Sequence, residues 1–248
     1  MIRKIEELSM NAFPSLDTVF YDGWVIRMSD GKSKRVNSVY SLYPSTIPLE
    51  VKVAHCEGVY KSNRLRRVFK LTDQETCSGL DDYLRSRRYK EAGRTHIMTL
   101  DLGSLKYQSD LNCEYFSDFT KDWYNDLCHE ENRSAIDKKV MAEAWKMVIP
   151  PQCYISLSIH GRRIAFGRGV LDGGFIGIYG VFVSDDLRGQ GYGEIITKEL
   201  LHYGQKRGCS SAYLQVEVEN RRAINLYKKI GFKEEYQYWY LLKEVGDS

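Results

Sequence analysis

The sequence predicts an α/β fold. Short apolar strands alternate with amphipathic helices along most of its 248 residues. Turns rich in glycine, proline and aspartate separate them. Residues 175–184 are almost wholly apolar, the mark of a strand buried on both faces. The composition supports a packed core, with 43% hydrophobic and 28% charged residues.

Residues 24–28 form the first strand. Asp30-Gly31 supplies a turn, and residues 36–43 return as the second strand of a hairpin ended by Pro44 and Pro48. A helix follows, with Leu49, Val53, Cys56 and Tyr60 on one face at helical spacing. Residues 68–71 make a short strand and 75–87 a helix. Gly93 ends the next turn, and 95–102 is a strand. Residues 103–112 carry Gly, Ser, Gln and Asp with little apolar periodicity. They place a boundary between a smaller α+β domain, 1–108, and a second domain, 109–248.

In the second domain, residues 118–131 and 138–148 are helices stopped by Pro150-Pro151. Residues 153–159 and 163–171 form a hairpin about His160-Gly161. Asp172-Gly173-Gly174 turns the chain into the apolar strand, expected at the sheet centre. A helix over 191–207 presents Ile196, Leu200 and Tyr203 inward and ends at Gly208. A strand (212–218), a helix (221–230), a turn at Gly231 and a strand (236–242) complete the chain. One internal repeat stands out. Residues 83–91 and 226–234 each run from a helix end through a turn to an aromatic-Lys-Glu triplet, Tyr89-Lys90-Glu91 and Phe232-Lys233-Glu234, that starts a strand.

Composition also narrows function. Lys plus Arg total 36 and Asp plus Glu 33, so the net charge of +3 gives no case for a nucleic-acid partner. Basic clusters at 64–67 and 85–88 have acidic neighbours and read as solvated faces. The charged N-terminus has no signal-peptide core, and no apolar run approaches the ~20 residues that span a bilayer. These features predict a cytoplasmic protein without a membrane partner. Six scattered cysteines and five scattered histidines show no metal-binding spacing, so no metal is expected.

The segment that carries chemistry is Arg188-Gly189-Gln190-Gly191-Tyr192-Gly193, between the apolar strand and an amphipathic helix. Alternate glycines let backbone N–H groups approach a ligand, the helix N-terminus adds positive potential and Arg188 adds a charge. Together they suit a phosphate or pyrophosphate. A dinucleotide fingerprint fails because Glu194 stands where its third glycine belongs. Gly31-Lys32-Ser33 lacks the upstream glycine of a nucleotide-triphosphate loop, since Ile26 occupies that position.

Residues 181–193, from Val181-Phe182-Val183 through Gly193, resemble the coenzyme A motif of the GCN5-related N-acetyltransferase superfamily. Residues 214–232, with Asn220, Ala223, Leu226-Tyr227 and Gly231-Phe232 in register, resemble its second motif. The resemblance covers about residues 112–245. Residues 1–105 share only its strand-helix rhythm and resemble the degenerate first half of tandem members. The resemblance implies a mixed, mostly antiparallel sheet flanked by helices. It implies transfer of an acetyl group from the cosubstrate acetyl-CoA to a primary amine of a small molecule or protein. Residues 188–193 would hold the pyrophosphate. Backbone around Val181, Phe182 and Val183 would bind the pantetheine arm, Asn220 would bond that arm, and Tyr227 would give a proton to the departing thiolate.

Each role has a plainer alternative. Tyr227 can be core, Asn220 a helix N-cap, and the glycines a simple turn. Many members carry a carboxylate at the position of Gln215, which cannot accept a proton at neutral pH. Glu217 shares its strand face and is the candidate general base, directly or through water, or else a solvated glutamate. Two other functions fit the same motifs: a non-catalytic acyl-CoA sensor, and an interaction protein that recruits a partner through its first half.

Overall fold

The alternation of strands and helices is present throughout, with additions where the apolar signal is weak. The computed structural model describes residues 1–30, 33–73, 79–103, 105–107, 113–131 and 134–245. Helix α1 (Ile2–Ala12), absent from the sequence prediction, buries Ile5, Leu8 and Ala12 at helical spacing. Strands β1 (Asp17–Tyr21) and β2 (Trp24–Met28) form a hairpin about Asp22-Gly23. Strand β1 escaped prediction because most of its side chains are exposed and no burial periodicity marks it. On its other side β2 pairs with β3 (Val39–Ser41), a shorter return than expected because Lys34–Val36 closes one 3-10 turn. Gly31 and Lys32, and with them the expected turn, lie outside the described residues.

Helix α2 (Leu49–Ser62) then leads to β4 (Arg67–Thr72), and α3 (Leu80–Ser86) to β5 (Lys90–Asp101). The predicted helix start at residues 75–78, and Cys77, fall outside the described residues. Gly93 lies inside β5, at a register shift opposite Tyr238 and Tyr240, not at the end of a turn. The remainder is β6 (Cys113–Phe116), α4 (Lys121–Glu130), α5 (Ala135–Lys146), β7 (Gln152–Ile159), β8 (Arg162–Asp172), β9 (Phe175–Val183), α6 (Tyr192–Lys206), β10 (Ser211–Glu217), α7 (Arg221–Ile230) and β11 (Lys233–Lys243).

Among the described residues, eleven strands join one sheet, in the order β1-β2-β3-β4-β11-β5-β10-β9-β8-β7-β6. Strand β9 is interior, but the middle position belongs to β5. Only β3–β4 and β9–β10 run parallel, and each pair is bridged by a crossover helix, α2 or α6. The hairpins β1–β2 and β7–β8 turn on matching left-handed pairs, Asp22-Gly23 and His160-Gly161, and β8–β9 turns on Gly173-Gly174.

The internal repeat has a structural counterpart at the centre. Lys90 pairs with Leu242, and its repeat equivalent Lys233 pairs with Thr99. Glu91 with Leu241 and Glu234 with Met98 obey the same rule, so β5 and β11 face each other about a pseudo-twofold axis. Each strand also pairs outward with the other segment: β11 with β4, and β5 with β10. Hydrogen-bonded pairing thus crosses the 108/109 boundary in both directions.

Helices α6 and α7 cover one face, over Leu214, Val216, Ile176 and Ile178. On the opposite face α1 covers Ile97, Tyr179, Tyr213, Tyr236, Tyr238 and Tyr240. Helices α4 and α5 pack on Tyr154 and Phe166. Beneath α1 lies a buried ion pair: Lys70 Nζ is 2.5 Å from the Glu6 carboxylate, which also accepts from the Tyr236 hydroxyl at 2.7 Å. Lys70 also sits 3.7 Å from the Tyr238 ring centroid. Desolvation opposes its charge, but Glu6, Tyr40 and Tyr238 together outweigh it, so the Lys70 pKa lies above its ordinary value. Glu6→Ala leaves that ammonium buried and unpaired, and should cost about 3–5 kcal/mol in urea denaturation. The double variant Glu6→Gln/Lys70→Met should recover most of the loss. A single-variant cost within 1 kcal/mol of zero would show that the pair does not hold α1 to the sheet.

Candidate active site

The site begins where two parallel strands part. Strands β9 and β10 pair from Phe175↔Ser211 to Ile178↔Leu214, and the ladder then stops. From there β9 follows β8 alone and β10 follows β5 alone. The parting coincides with a bulge: Phe166 and Arg168 of β8 face Phe182 and Tyr179, so β9 holds an extra residue at Gly180-Val181, with Gly180 at φ +58°. The wedge between the strands is a cleft of about 290 Å³.

The cleft passes through the sheet, because side chains on β10 alternate between faces. On the α6/α7 side its wall is Ile178, Val181, Val216, Asn220, Ala223 and Tyr227. On the α1 side are Tyr179, Gln215, Glu217 and Arg35, the last from the 3-10 turn of the first half. Sequence reasoning missed Arg35, and no local signal could find it, since its turn meets the cleft only through the sheet order.

Tyr227 is 8% exposed and packs edge-on against Phe232. Burial raises its phenol pKa to about 12, so it stays protonated at neutral pH. Among the described residues its hydroxyl has no recorded partner. Asn220 caps α7: its Oδ1 accepts from the Ala223 N–H at 3.1 Å. The capping role and a place in the cleft wall coexist. Gln215 is engaged at both ends, donating to Ser9 Oγ at 3.0 Å and accepting from the Tyr238 hydroxyl at 2.9 Å. Glu217 ends β10, is exposed, and has no ion-pair partner among the described residues.

Residues 188–193 sit at the α6 N-terminus, next to but outside the cleft wall. Gly189 and Gly191 have φ of +90° and +92°, the left-handed region that favours glycine, and Gly191 is the N-cap. Among the described residues no acceptor meets the N–H groups of residues 189–193, which places five donors at a helix N-terminus. Arg188 is held beside them. Its guanidinium lies over the Phe182 ring, Nε donates to Val183 O at 3.2 Å, and Nη2 meets the Asp185 carboxylate at 2.5 Å. Arg222, at the start of α7, brings a second guanidinium to the same loop: a Cβ on Gly189 would lie 3.4 Å from its Nη2. Sequence reasoning missed Arg222, although its place two residues after Asn220 was a usable signal. Glu194 is paired with Lys198 and Lys229 at 2.8 and 2.7 Å, and both lower its pKa. Gly193 serves packing: its Cβ position lies 3.4 Å from Leu226 Cδ2 and 3.7 Å from Val183 Cγ2. Tyr192 packs partly buried on the same core.

The first half has the equivalent connection, residues 42–48 between β3 and α2, and fills it from within. It contains two prolines and no glycine. The Asp22 carboxylate accepts from the N–H groups of Thr46 and Ile47, both at 2.9 Å, and from the Thr46 hydroxyl. Lys52 Nζ lies 3.2 Å from it. The Ile47 N–H, with help from Thr46 and Lys52, holds the Asp22 pKa at about 2.

Among the described residues, no group of three or more His, Cys, Asp or Glu is placed to hold a metal. The five described cysteines are free thiols. No described helix is long and apolar enough to cross a membrane.

Known proteins share this architecture. The family described as "Probable histone acetyltransferase Rv0428c C-terminal" matches residues 1–241. The uncharacterized N-acetyltransferase YobR of Bacillus subtilis is 25% identical over 246 residues, 98% of each chain. A GCN5-related N-acetyltransferase from Kribbella flavida superimposes with a TM-score of 0.73 at 14% identity, over 98% of this chain and 96% of that one. A tandem acetyltransferase from the clavulanic acid pathway gives 0.67 at 10% identity, over 98% and 88%.

Asp22 makes the filled loop testable. Its folded pKa is below the ordinary 3.8, so its contribution to stability is complete above that value and is lost as pH falls towards 2. Asp22→Asn should therefore lower the thermal midpoint at pH 7, with the gap to wild type closing between pH 4 and 2. A gap that does not change with pH would exclude the carboxylate as its origin.

Proposed function

We propose the reaction from one premise: the chain belongs to the Rv0428c C-terminal acetyltransferase family of the GCN5-related superfamily, and is an acyltransferase. The proposed reaction moves an acetyl group from acetyl-CoA to a primary amine. The supporting observation is a cleft through the sheet, walled by Tyr227 on one face and Glu217 on the other, beside a loop whose N–H groups have no acceptor among the described residues.

In this reading the N–H groups of 189–193 bind the pyrophosphate, and Arg188 and Arg222 add charge-assisted contacts. The unpaired edge of β9 at Val181, Phe182 and Val183 receives the pantetheine arm as an added strand, with the free amide of Asn220 alongside. Backbone N–H groups at the bulge polarise the thioester carbonyl as its oxygen gains charge. The amine arrives from the α1 face and its nitrogen attacks the carbonyl carbon. Glu217 takes a proton from that nitrogen, directly or through water. The carbon–sulfur bond breaks and Tyr227 protonates the leaving thiolate. Gln215, held by Ser9 and Tyr238, orients the wall and takes no proton.

The first half would bind no CoA, because Asp22 already occupies its loop donors. It would support the sheet and line the acceptor side. For the loop, Arg188→Ala should weaken CoA binding about ten- to a hundredfold by calorimetry, with a comparable loss for Arg222→Ala. Gly191→Val, at a φ that a branched residue does not adopt, should abolish binding. Wild-type affinity in all three would place the pyrophosphate elsewhere.

Tyr227→Phe keeps the ring and its packing but removes the proton. Turnover should fall about 10²- to 10⁴-fold in a single-turnover measurement, with little change in the Michaelis constant for acetyl-CoA. Unchanged single-turnover chemistry would remove Tyr227 from the proton path.

A further inference from the structure

We propose that the acceptor is a primary amine carrying a carboxylate in the same molecule, and that Arg35 binds that carboxylate. The inference rests on the acyltransferase reading of the cleft and specifies what enters it from the α1 face.

Arg35 lines the cleft together with Tyr179, Gln215 and Glu217. Its guanidinium carbon lies over the Phe13 ring, 4.6 Å from the centroid. The hydrogen bonds recorded for Arg35 use its carbonyl, which accepts from Arg27 Nη1 at 3.0 Å and from the Tyr40 hydroxyl at 2.9 Å. Among the described residues no carboxylate pairs with the guanidinium. Arg162 and Arg188, both more open to solvent, each have an acidic partner, as does the half-buried Arg163. An arginine cannot shed its proton to relieve partial burial. Tyr40, Tyr179, Tyr238 and Tyr240 surround it, and an anion entering the cleft would supply the charged partner it lacks among the described residues.

The same wall carries Glu217, a carboxylate with no cationic partner among the described residues. One wall thus offers a cation for an anion and an anion for an ammonium group, which complements a zwitterion. A guanidinium fork fits a carboxylate through two parallel N–H donors, a geometry that a lone ammonium cannot match. A polyamine would leave Arg35 uncompensated and be repelled by it. The first half therefore contributes to substrate choice through this single side chain.

The test measures acetyl-CoA-dependent CoA release with matched pairs, each common amino acid and its carboxamide. At least one free amino acid should be used with a kcat/KM about ten- to a hundredfold above its amide. Arg35→Met should bring the acid down to the level of the amide without changing CoA affinity by calorimetry, and Arg35→Lys should restore part of the preference. Equal use of acid and amide by the wild type, a preference that survives in Arg35→Met, or turnover of amides alone overturns the inference while acetyl transfer stands. CoA binding without turnover of any pair also overturns it. Failure to bind CoA at all would instead overturn the acyltransferase reading beneath it.

Discussion

The antiparallel pairing of β5 with β11 is the constraint on which the rest of the structure depends. Each strand is the last of its own half and is shared with the other half. Strand β10 therefore has a complete partner in β5 along its whole length, from Ser211↔Asp101 to Glu217↔Thr95. That pairing lets β10 leave β9 after Leu214 without losing its own place in the sheet. A buried backbone that loses one neighbour must find another or face solvent. Here the loss is confined to one side, and the space it opens is the cleft. The pseudo-twofold axis between the two central strands also brings Arg35 of the first half to the same cleft as Tyr227 of the second.

The two halves fill the same connection in different ways. Both have a parallel strand pair, a crossover helix and a loop leading into that helix. In the second half glycines shape the loop, and five N–H groups have no acceptor among the described residues. In the first half prolines replace glycines, and Asp22 takes the donors that a ligand would need. A shared architecture leaves different groups free for a ligand, because the loop residues decide which donors are already taken.

The face under α1 is held by charges that composition would assign to solvent. Lys70 pairs with Glu6 beneath the helix. Arg168 lies among Phe13, Trp145 and Tyr179, donating to Gln152 and to the Ala12 carbonyl. Burial lowers the Arg168 pKa from its ordinary value, and the surrounding tyrosines offset part of that shift. These contacts set the position of α1, which in turn places Ser9 on Gln215 and Phe13 under Arg35.

The sequence by itself determined the features that depend on neighbours in the chain. The glycine-arginine loop was legible because helix starts and left-handed turns have local chemical requirements. Asn220 and Tyr227 were legible through the resemblance of residues 214–232 to the family's second motif, and two helical turns put both on one face. The strand-helix rhythm and the repeat at Tyr89 and Phe232 came from periodicity alone. What tertiary structure decided is everything that depends on strand order. Helix α1 and strand β1 lacked a readable pattern because buried Glu6 and Ser9, and exposed Val19 and Phe20, run against polarity. The exchange of β5 and β11, the parting of β9 from β10, the filling of one loop by Asp22 and the arrival of Arg35 at the cleft all join residues far apart in the chain. No local propensity encodes those contacts, because their free energy exists only once the sheet has closed around them.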